Sequence, residues 1–114
     1  MINQFAVTMR KESEYAVIYT DGYINNLGGE KIAEVANSLI GEGIYKLVLN
    51  LEKSTVVNSI GISILIEIIE KLQEMNGKLV FCGLTKTIAK TFTIMGLTQF
   101  AAISDTEEQA IQGL

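Results

Sequence analysis

Residues 47–65 read LVLNLEKSTVVNSIGISIL, and in this run an apolar segment passes through a polar loop into an amphipathic segment. The apolar part, Tyr45–Leu51, is short and nearly continuous, which is typical of a strand in a sheet covered on both faces. From Ile60 to Met75 apolar residues recur at helical spacing, and the turn pair Asn76-Gly77 closes the segment. The sequence therefore predicts a central strand that leads into a helix at the carboxyl edge of a sheet.

The flanking segments continue the alternation of strands and helices. In chain order they predict strands at Asn3–Met9 and Tyr15–Thr20, a helix after Gly22 that ends at Gly41-x-Gly43, a strand at Lys78–Leu84, a helix from about Thr85 to Met95, a weak strand near Phe100–Ile103 and a helix from about Asp105. The order is ββαβαβαβα, and right-handed crossovers then give an α/β fold with a mixed, mostly parallel sheet and helices packed on it. With 114 residues, the chain has room for one domain, which we place at 1–114.

The composition excludes several kinds of chemistry. There is no histidine, so Ser-His-Asp and Cys-His nucleophile pairs and histidine-based zinc sites are excluded. Cys82 is the lone cysteine and lies in an apolar strand, where a thiol is most often an inert core residue. Since no convergent set of catalytic groups is present, we expect neither an enzyme nor a bound metal or cofactor.

The charge distribution narrows the class of partner. The formal net charge is −4 and Arg10 is the only arginine, so no basic surface indicates binding to nucleic acid. The first twenty residues alternate charged and apolar positions, unlike a signal peptide or an anchor. These features predict a cytoplasmic protein without membrane insertion, whose partner is a protein or a small ligand.

Ser59 stands where the central loop enters the second helix, at the edge where open α/β folds place their sites. Its hydroxyl is placed to accept a hydrogen bond from a backbone N–H of the first turn, as an N-cap. A regulatory serine would occupy the same place. The residues alone leave both interpretations open.

Two isoleucines follow on the flank of the same helix. Projection at about 100° per residue puts Ser63 on the polar face, with Ile62 and Ile66 about 60 to 100° from its centre. Exposed isoleucines beside Ser59 would form a patch for a protein partner. The alternative is that a loop or a neighbouring helix covers them.

The same residues resemble a known family. LVLNLEKSTVVNSIGISIL is similar to the signature of bacterial anti-sigma factor antagonists, the small stand-alone STAS domains, in which an L-D/N-L strand leads to D-S-S/T-G and a helix. The match falls on Asn58-Ser59-Ile60-Gly61. LVFCGLTKTIAKTFTIMGL (Leu79–Leu97) resembles the fourth strand and third helix of the family, and Thr20–Asn25 resembles its G-E-L-D segment. The resemblance covers nearly the whole chain.

The resemblance implies a switch based on phosphorylation. In such a switch the unmodified antagonist binds an anti-sigma factor that is also a serine kinase, phosphorylation ends the binding, and a metal-dependent serine phosphatase restores it. Ser59 matches the phosphorylated serine. The partner-binding surface expected from its position and from the resemblance consists of Asn25, Asn58, Ser59, Ile60, Ile62, Ser63 and Ile66.

The chain departs from the family pattern near this serine. The aspartate before the serine is Asn58, the aspartate after the second strand is Asn25, and a Thr-Ala pair has become Gly28-Gly29. If those carboxylates orient the serine or its kinase, phosphorylation is slowed or lost. The chain would then be a constitutive binder, or an accessory STAS subunit that scaffolds a signalling complex or the cytoplasmic face of a transporter ATPase.

Overall fold

A computed structural model describes residues 4–114 as five strands and four α-helices. The strands are β1 (Ala6–Lys11), β2 (Ala16–Asp21), β3 (Lys46–Lys53), β4 (Lys78–Cys82) and β5 (Ala102–Ser104). The helices are α1 (Asn26–Gly41), α2 (Ser59–Glu74), α3 (Lys86–Ile94) and α4 (Glu107–Gln112). The order ββαβαβαβα predicted from the sequence is confirmed.

The five strands form one sheet in the order β1-β2-β3-β4-β5. β1 pairs with β2 in the antiparallel sense, with Lys11 opposite Ala16, while all other neighbours are parallel. Leu47 of β3 lies between Ala16 of β2 and Leu79 of β4. The predicted mixed, mostly parallel sheet is therefore confirmed, with β3 at its centre.

Both faces of β3 are buried, as its continuous apolar run predicts. Leu47, Leu49 and Leu51 point to the main core, which α1, α2 and α3 cover, and Phe81 of β4 meets Phe92 of α3 there with ring centroids 5.0 Å apart. The side chain of Val48 points the other way, into a smaller cluster that α4 covers. The burial of alternate residues on opposite faces follows from the period of two in a strand.

Several boundaries differ from the predicted ones for local reasons. The first strand is placed at Ala6–Lys11 rather than at Asn3–Met9, and Asn3 lies outside the described residues. β4 ends before Gly83, whose φ of +73° turns the chain out of the strand. The side chain of Thr106 accepts from the N–H of Gln109, so α4 begins at Glu107 rather than near Asp105.

An unpredicted single turn of 3₁₀ helix spans Leu97–Gln99 and connects α3 to the last strand. Leu97 is 1% exposed and therefore belongs to the main core. Within residues 4–114, no helix has the length and apolar character needed to cross a bilayer.

Candidate functional site

The starts of α1 and α2 are joined at the carboxyl edge of the sheet. A short parallel bridge pairs Ile24, in the loop after β2, with Val57, in the loop after β3. The N–H of Ile24 donates to the carbonyl of Val56 at 2.9 Å, and the N–H of Asn58 donates to the carbonyl of Ile24 at 3.1 Å. Ile24 is fully buried. The two loops therefore form one unit, and the helix starts lie side by side.

An asparagine caps each of these helices. Asn25 Oδ1 accepts from the N–H of Gly28 at 3.0 Å, and Asn58 Oδ1 accepts from the N–H of Gly61 at 2.8 Å. Each cap satisfies one of the N–H groups that a helix start leaves without an intrahelical partner. Neither helix has an acidic residue in its first turn. The edge therefore presents two helix N-termini with neutral caps.

The expectation that Ser59 is the N-cap of α2 is wrong. The cap is Asn58, which has the extended backbone of a cap (φ −98°, ψ 176°), and Ser59 is the first helical residue. Asparagine caps a helix as well as serine does, so the residue with the extended backbone takes the role. Within residues 4–114 the Ser59 hydroxyl makes no hydrogen bond, and the residue is exposed. Its hydroxyl is therefore not engaged in holding the helix.

Two other serines lie close to Ser59 along the chain. Ser63, one turn further along α2, is exposed, and its hydroxyl donates to the carbonyl of Ser59 at 3.0 Å. Ser54 is 0% exposed, and its hydroxyl is 2.7 Å from that of Thr20 in a buried hydrogen bond. Ser59 and Ser63 are thus accessible at the surface of the folded chain, whereas Ser54 belongs to the packing beneath the loop.

The three isoleucines expected around Ser59 have different environments. Ile60 is 54% exposed, Ile62 is 4% exposed, and Ile66 is half-buried against the main core. The expectation that Ile62 is exposed on the flank of α2 is therefore wrong, and the alternative that neighbouring elements cover it is correct. Projection on a single helix could not show that α1 packs on one flank of α2 and the chain after α3 on the other.

Three exposed apolar residues near Ser59 were not identified from the sequence. They are Tyr23 and Val56 in the two loops and Leu27 in the first turn of α1, which are 46%, 53% and 54% exposed. Together with Ile60 they form what we call the serine-side patch. A signal was present in the sequence, because these apolar residues stand in loops or outside the apolar stripe of their helix.

Glycines permit the close approach of the two helix starts. A Cβ on Gly61 would lie 2.3 Å from the carbonyl oxygen of Ile24, and one on Gly28 would lie 2.7 Å from the carbonyl oxygen of Tyr23. A Cβ on Gly29 would meet the side chain of Ile64 at 2.8 Å. The Gly28-Gly29 pair noted in the sequence therefore lets α1 approach both its own loop and α2.

Cys82 and Glu107 have pKa values that are shifted for different physical reasons. Burial, together with the carboxylates of Glu107 and Glu52, raises the pKa of Cys82 to about 11, so the thiol stays protonated near neutral pH. Partial burial acts to raise the pKa of Glu107, but hydrogen bonds from Tyr19, Asn50 and Arg10 outweigh it, and the pKa lies below the ordinary value. Within residues 4–114 no three Cys, Asp or Glu side chains gather in a way that would hold a metal ion.

A polar groove of about 490 Å³ lies on the α4 side of the sheet. Tyr19, Asn50 and Glu107 line it together with residues of β1 and with Asp21, Glu52 and Lys53. Glu107 is paired with Arg10 at 3.0 Å and accepts from the amide of Asn50 at 3.2 Å. These bonds attach α4 to the sheet, so a structural role accounts for the partly exposed pair of Arg10 and Glu107.

Comparison with known proteins identifies one family for this chain. The model of the STAS domain matches residues 6–110. A protein of Bordetella bronchiseptica whose assigned name is that of an anti-sigma factor antagonist, BtrV, is 22% identical over 104 residues, which are 91% of this chain and 90% of that protein.

Solved structures show the same fold. The anti-sigma factor antagonist SpoIIAA in its unphosphorylated form has a TM-score of 0.75 and 23% identity, with 95% of this chain and 96% of that chain covered. The Bacillus cell fate determinant SpoIIAA in its phosphorylated form has a TM-score of 0.74 and 23% identity, with 95% and 98% covered.

Proposed function

Because the chain belongs to the STAS domain family, we propose that it is an anti-sigma factor antagonist that binds an anti-sigma factor through the serine-side patch and is switched off by phosphorylation of Ser59. In this proposal the anti-sigma factor is also the serine kinase, and binding to the antagonist releases a sigma factor. A metal-dependent serine phosphatase reverses the modification. The chain is a substrate in this cycle and performs no chemistry of its own.

The observation that carries the proposal is an unengaged, exposed hydroxyl on two joined helix starts that also bear exposed apolar side chains. Tyr23, Leu27, Val56 and Ile60 stand in the two loops and in the first turns of α1 and α2, and each is between 46% and 54% exposed. Exposed apolar residues grouped in this way are typical of a protein-binding surface. A modification at Ser59 would therefore alter the surface that the partner covers.

The fold can accept a phosphate at this position. A phosphate on Ser59 would carry about −1.5 to −2 charges at the start of α2, where the helix dipole and the first-turn N–H groups favour an anion. The first turns of α1 and α2 contain no carboxylate that would repel it. SpoIIAA also supports this step, because its two forms, one of them phosphorylated, have nearly the same similarity to this chain.

The complex would not accept the phosphate. A dianion about 5 to 6 Å from a carboxylate of the partner costs on the order of 5 kcal/mol at an effective dielectric constant near 20, which is about three to four decades in affinity. A penalty of this size would release the phosphorylated chain from the complex without a change of fold. The proposal thus needs only a local change of charge.

The first test is phosphorylation of the purified chain by a serine-kinase anti-sigma factor of the same genome, with Mg-ATP. We expect intact mass to show one added phosphate and peptide mapping to place it on Ser59. Ser63→Ala is the matched control, since Ser63 is also exposed and lies one turn away, and it should be labelled like the wild type. Labelling of Ser63 instead of Ser59 would move the site, and no labelling by an active kinase would remove the switch.

The second test measures binding of the same anti-sigma factor by titration calorimetry. Ser59→Ala should bind like the wild type, whereas Ser59→Asp should bind at least tenfold more weakly while its circular dichroism is unchanged, because an acid is tolerated at a helix start. Ile60→Asn should also weaken binding by removing exposed apolar area. Equal affinity of all three variants would mean that the partner binds elsewhere.

An accessory STAS subunit that is never phosphorylated is the alternative. It predicts that an active kinase leaves Ser59 unlabelled, that Ser59→Asp and Ser59→Ala behave alike, and that the chain copurifies with a signalling complex or a transporter ATPase. The asparagines at 25 and 58 are compatible with this alternative because both preserve the caps without the carboxylates.

A further inference from the structure

The first strand leaves one edge of the sheet open. In the part of the chain that the structure describes, β1 pairs with β2 alone and lies at the end of the strand order. The hairpin bond from the N–H of Glu12 to the carbonyl of Tyr15 fixes which backbone groups face outwards, because inward and outward groups alternate along an antiparallel strand. The backbone N–H and C=O groups of Val7, Met9 and Lys11 therefore point away from the sheet.

The usual devices that protect an open edge are missing from β1. The chain contains no proline, and the pairing of β1 with β2 runs from Ala6 to Lys11 without a bulge. The two cations of the strand are engaged within the chain, Arg10 with Glu107 and Lys11 with Glu42. An edge that has neither free charges nor an irregularity is a template for a further strand.

An apolar groove of about 220 Å³ lies beside this edge, between β1 and α1. Met9 lines the groove from the strand, and Val35 and Leu39 line it from the helix. Met9 is 42% exposed, although its neighbour across the strand pair, Ile18, is buried in the main core. A strand added at this edge would cover Met9 and place alternate side chains at the groove, as in other cases of strand addition.

The charges beside the edge are arranged for a second copy of the same chain. Lys31 of α1 donates to the carbonyl of Phe5 at 3.3 Å, and Glu14 lies in the turn after the other end of β1. Both are exposed, and neither forms an ion pair with another described residue. Phe5 and Ser13 lie about 14 Å before and after Met9 along the strand direction. Antiparallel pairing centred on Met9 therefore brings the cation of each copy beside the anion of the other.

We propose that β1 of a second copy pairs with β1 in the antiparallel sense, about a two-fold axis that passes beside Met9 and is perpendicular to the sheet. The two five-stranded sheets then join into one sheet with both copies of α1 on the same face. An axis at Thr8 would instead set Lys11 of one copy beside Lys31 of the other. An axis at Arg10 would set the two arginines opposite each other. Like charges repel, so the charge pattern selects the axis at Met9.

The dimer leaves both copies of Ser59 free. β2 separates β1 from β3, whose carboxyl end leads to Ser59. An interface made mainly by one pair of strands lies below the standard size, under about 1,200 Å² in total, so we expect a weak and reversible dimer. Neither pairing at β1 nor its loss alters the accessibility of Ser59, so this proposal and the proposed function fail independently.

Cysteine cross-linking tests the pairing and its register together. In the proposed register the Cα atoms of the two residues at position 9 are about 5.5 Å apart, within reach of a disulfide, whereas those at position 8 are roughly 8 Å apart and out of reach. We expect Met9→Cys to form a covalent dimer on oxidation with copper–phenanthroline in air, and Thr8→Cys, the matched control, to stay monomeric in non-reducing electrophoresis. The wild type gives the background, since Cys82 is buried. Cross-linking of Thr8→Cys at least as fast as that of Met9→Cys, or of neither variant, overturns the proposal.

Sedimentation equilibrium from about 5 μM to about 1 mM tests association without a cross-link. We expect a monomer–dimer equilibrium that Met9→Pro weakens by about tenfold or more, because proline removes an outward N–H and leaves the bonds to β2 in place. Met9→Leu is the matched control, since it keeps the N–H and an apolar side chain, and it should dimerise within about threefold of the wild type. Circular dichroism and thermal melting check that both variants keep the fold. A wild-type chain that stays monomeric throughout this range, or a folded Met9→Pro variant that dimerises like Met9→Leu, contradicts the pairing.

Discussion

Substitution of Gly61 by alanine tests how the serine-bearing turn is attached to the rest of the fold. The added Cβ would lie 2.3 Å from the carbonyl oxygen of Ile24, so the two must separate by about 1.1 Å to reach the 3.4 Å of ordinary contact. That movement strains the bonds from Ile24 to Val56 and from Asn58 to Ile24, each worth about 1 kcal/mol, and adds an overpacking cost of about 1 to 3 kcal/mol. The higher helix propensity of alanine offsets at most about 1 kcal/mol of this cost.

We therefore expect Gly61→Ala to lower the free energy of unfolding by about 2 to 3 kcal/mol and the melting temperature by about 10 °C. Gly41→Ala is the matched control, because Gly41 is also helical but a Cβ there has nothing within 4 Å. It should stabilise the chain by about 0.5 kcal/mol. Thermal and urea unfolding followed by circular dichroism measure both, and a Gly61→Ala variant that melts at or above the wild type would refute the close approach.

Asn58→Ala should cost about 1 kcal/mol by removing the cap of α2, whereas Asn58→Asp should preserve stability at neutral pH; urea unfolding compares them. The stabilising contribution of Glu107 should be complete above its ordinary pKa of 4.5 and be lost as the pH falls through its lower folded pKa. Glu107→Gln should therefore reduce the pH dependence of the free energy of unfolding on the acid side of this range. Cys82 should be unreactive towards a disulfide reagent at about pH 8 in the folded chain and react at once in urea, because burial holds its pKa near 11.

The sequence predicts the fold well because the apolar pattern of its strands and helices and the residues of its turns indicate the same structure. The continuous apolar run of β3 requires burial on both faces, and α4 supplies the second cover through Ala110. The turn pair Asn76-Gly77 closes α2 as expected, with Asn76 at φ 56° and the N–H of Gly77 donating to the carbonyl of Leu72 at 2.7 Å. Element ends are less predictable, because a single side chain such as that of Thr106 decides where α4 begins.

The site is less predictable because it depends on contacts between segments distant in sequence. Whether Ile62 is exposed depends on what packs beside α2, and the periodicity of one helix does not contain that information. The identity of the cap depended on the backbone of Asn58, which follows from the bridge between Ile24 and Val57. The position of Ser59 at the start of the helix was predictable from local sequence, whereas the surrounding patch was not.

The asparagine caps bear on how strongly a phosphate on Ser59 would act. Each cap holds its helix start through the oxygen of its side-chain amide and adds no charge. The first turns of α1 and α2 therefore contain no anion before modification. A phosphate would change the local charge from zero to about −2, whereas beside two aspartate caps it would add to a surface that is already negative. Neighbouring carboxylates would also disfavour the second ionisation of the phosphate and so reduce the charge that it carries at neutral pH, whereas the neutral caps leave that charge near −2. If Asn25→Asp and Asn58→Asp together are introduced, the unmodified chain should bind a partner carboxylate surface more weakly, and the ratio of affinities between the unmodified and phosphorylated chains should shrink. Titration calorimetry of the four species measures that ratio, and a ratio that stays the same or increases would contradict this account of the neutral caps.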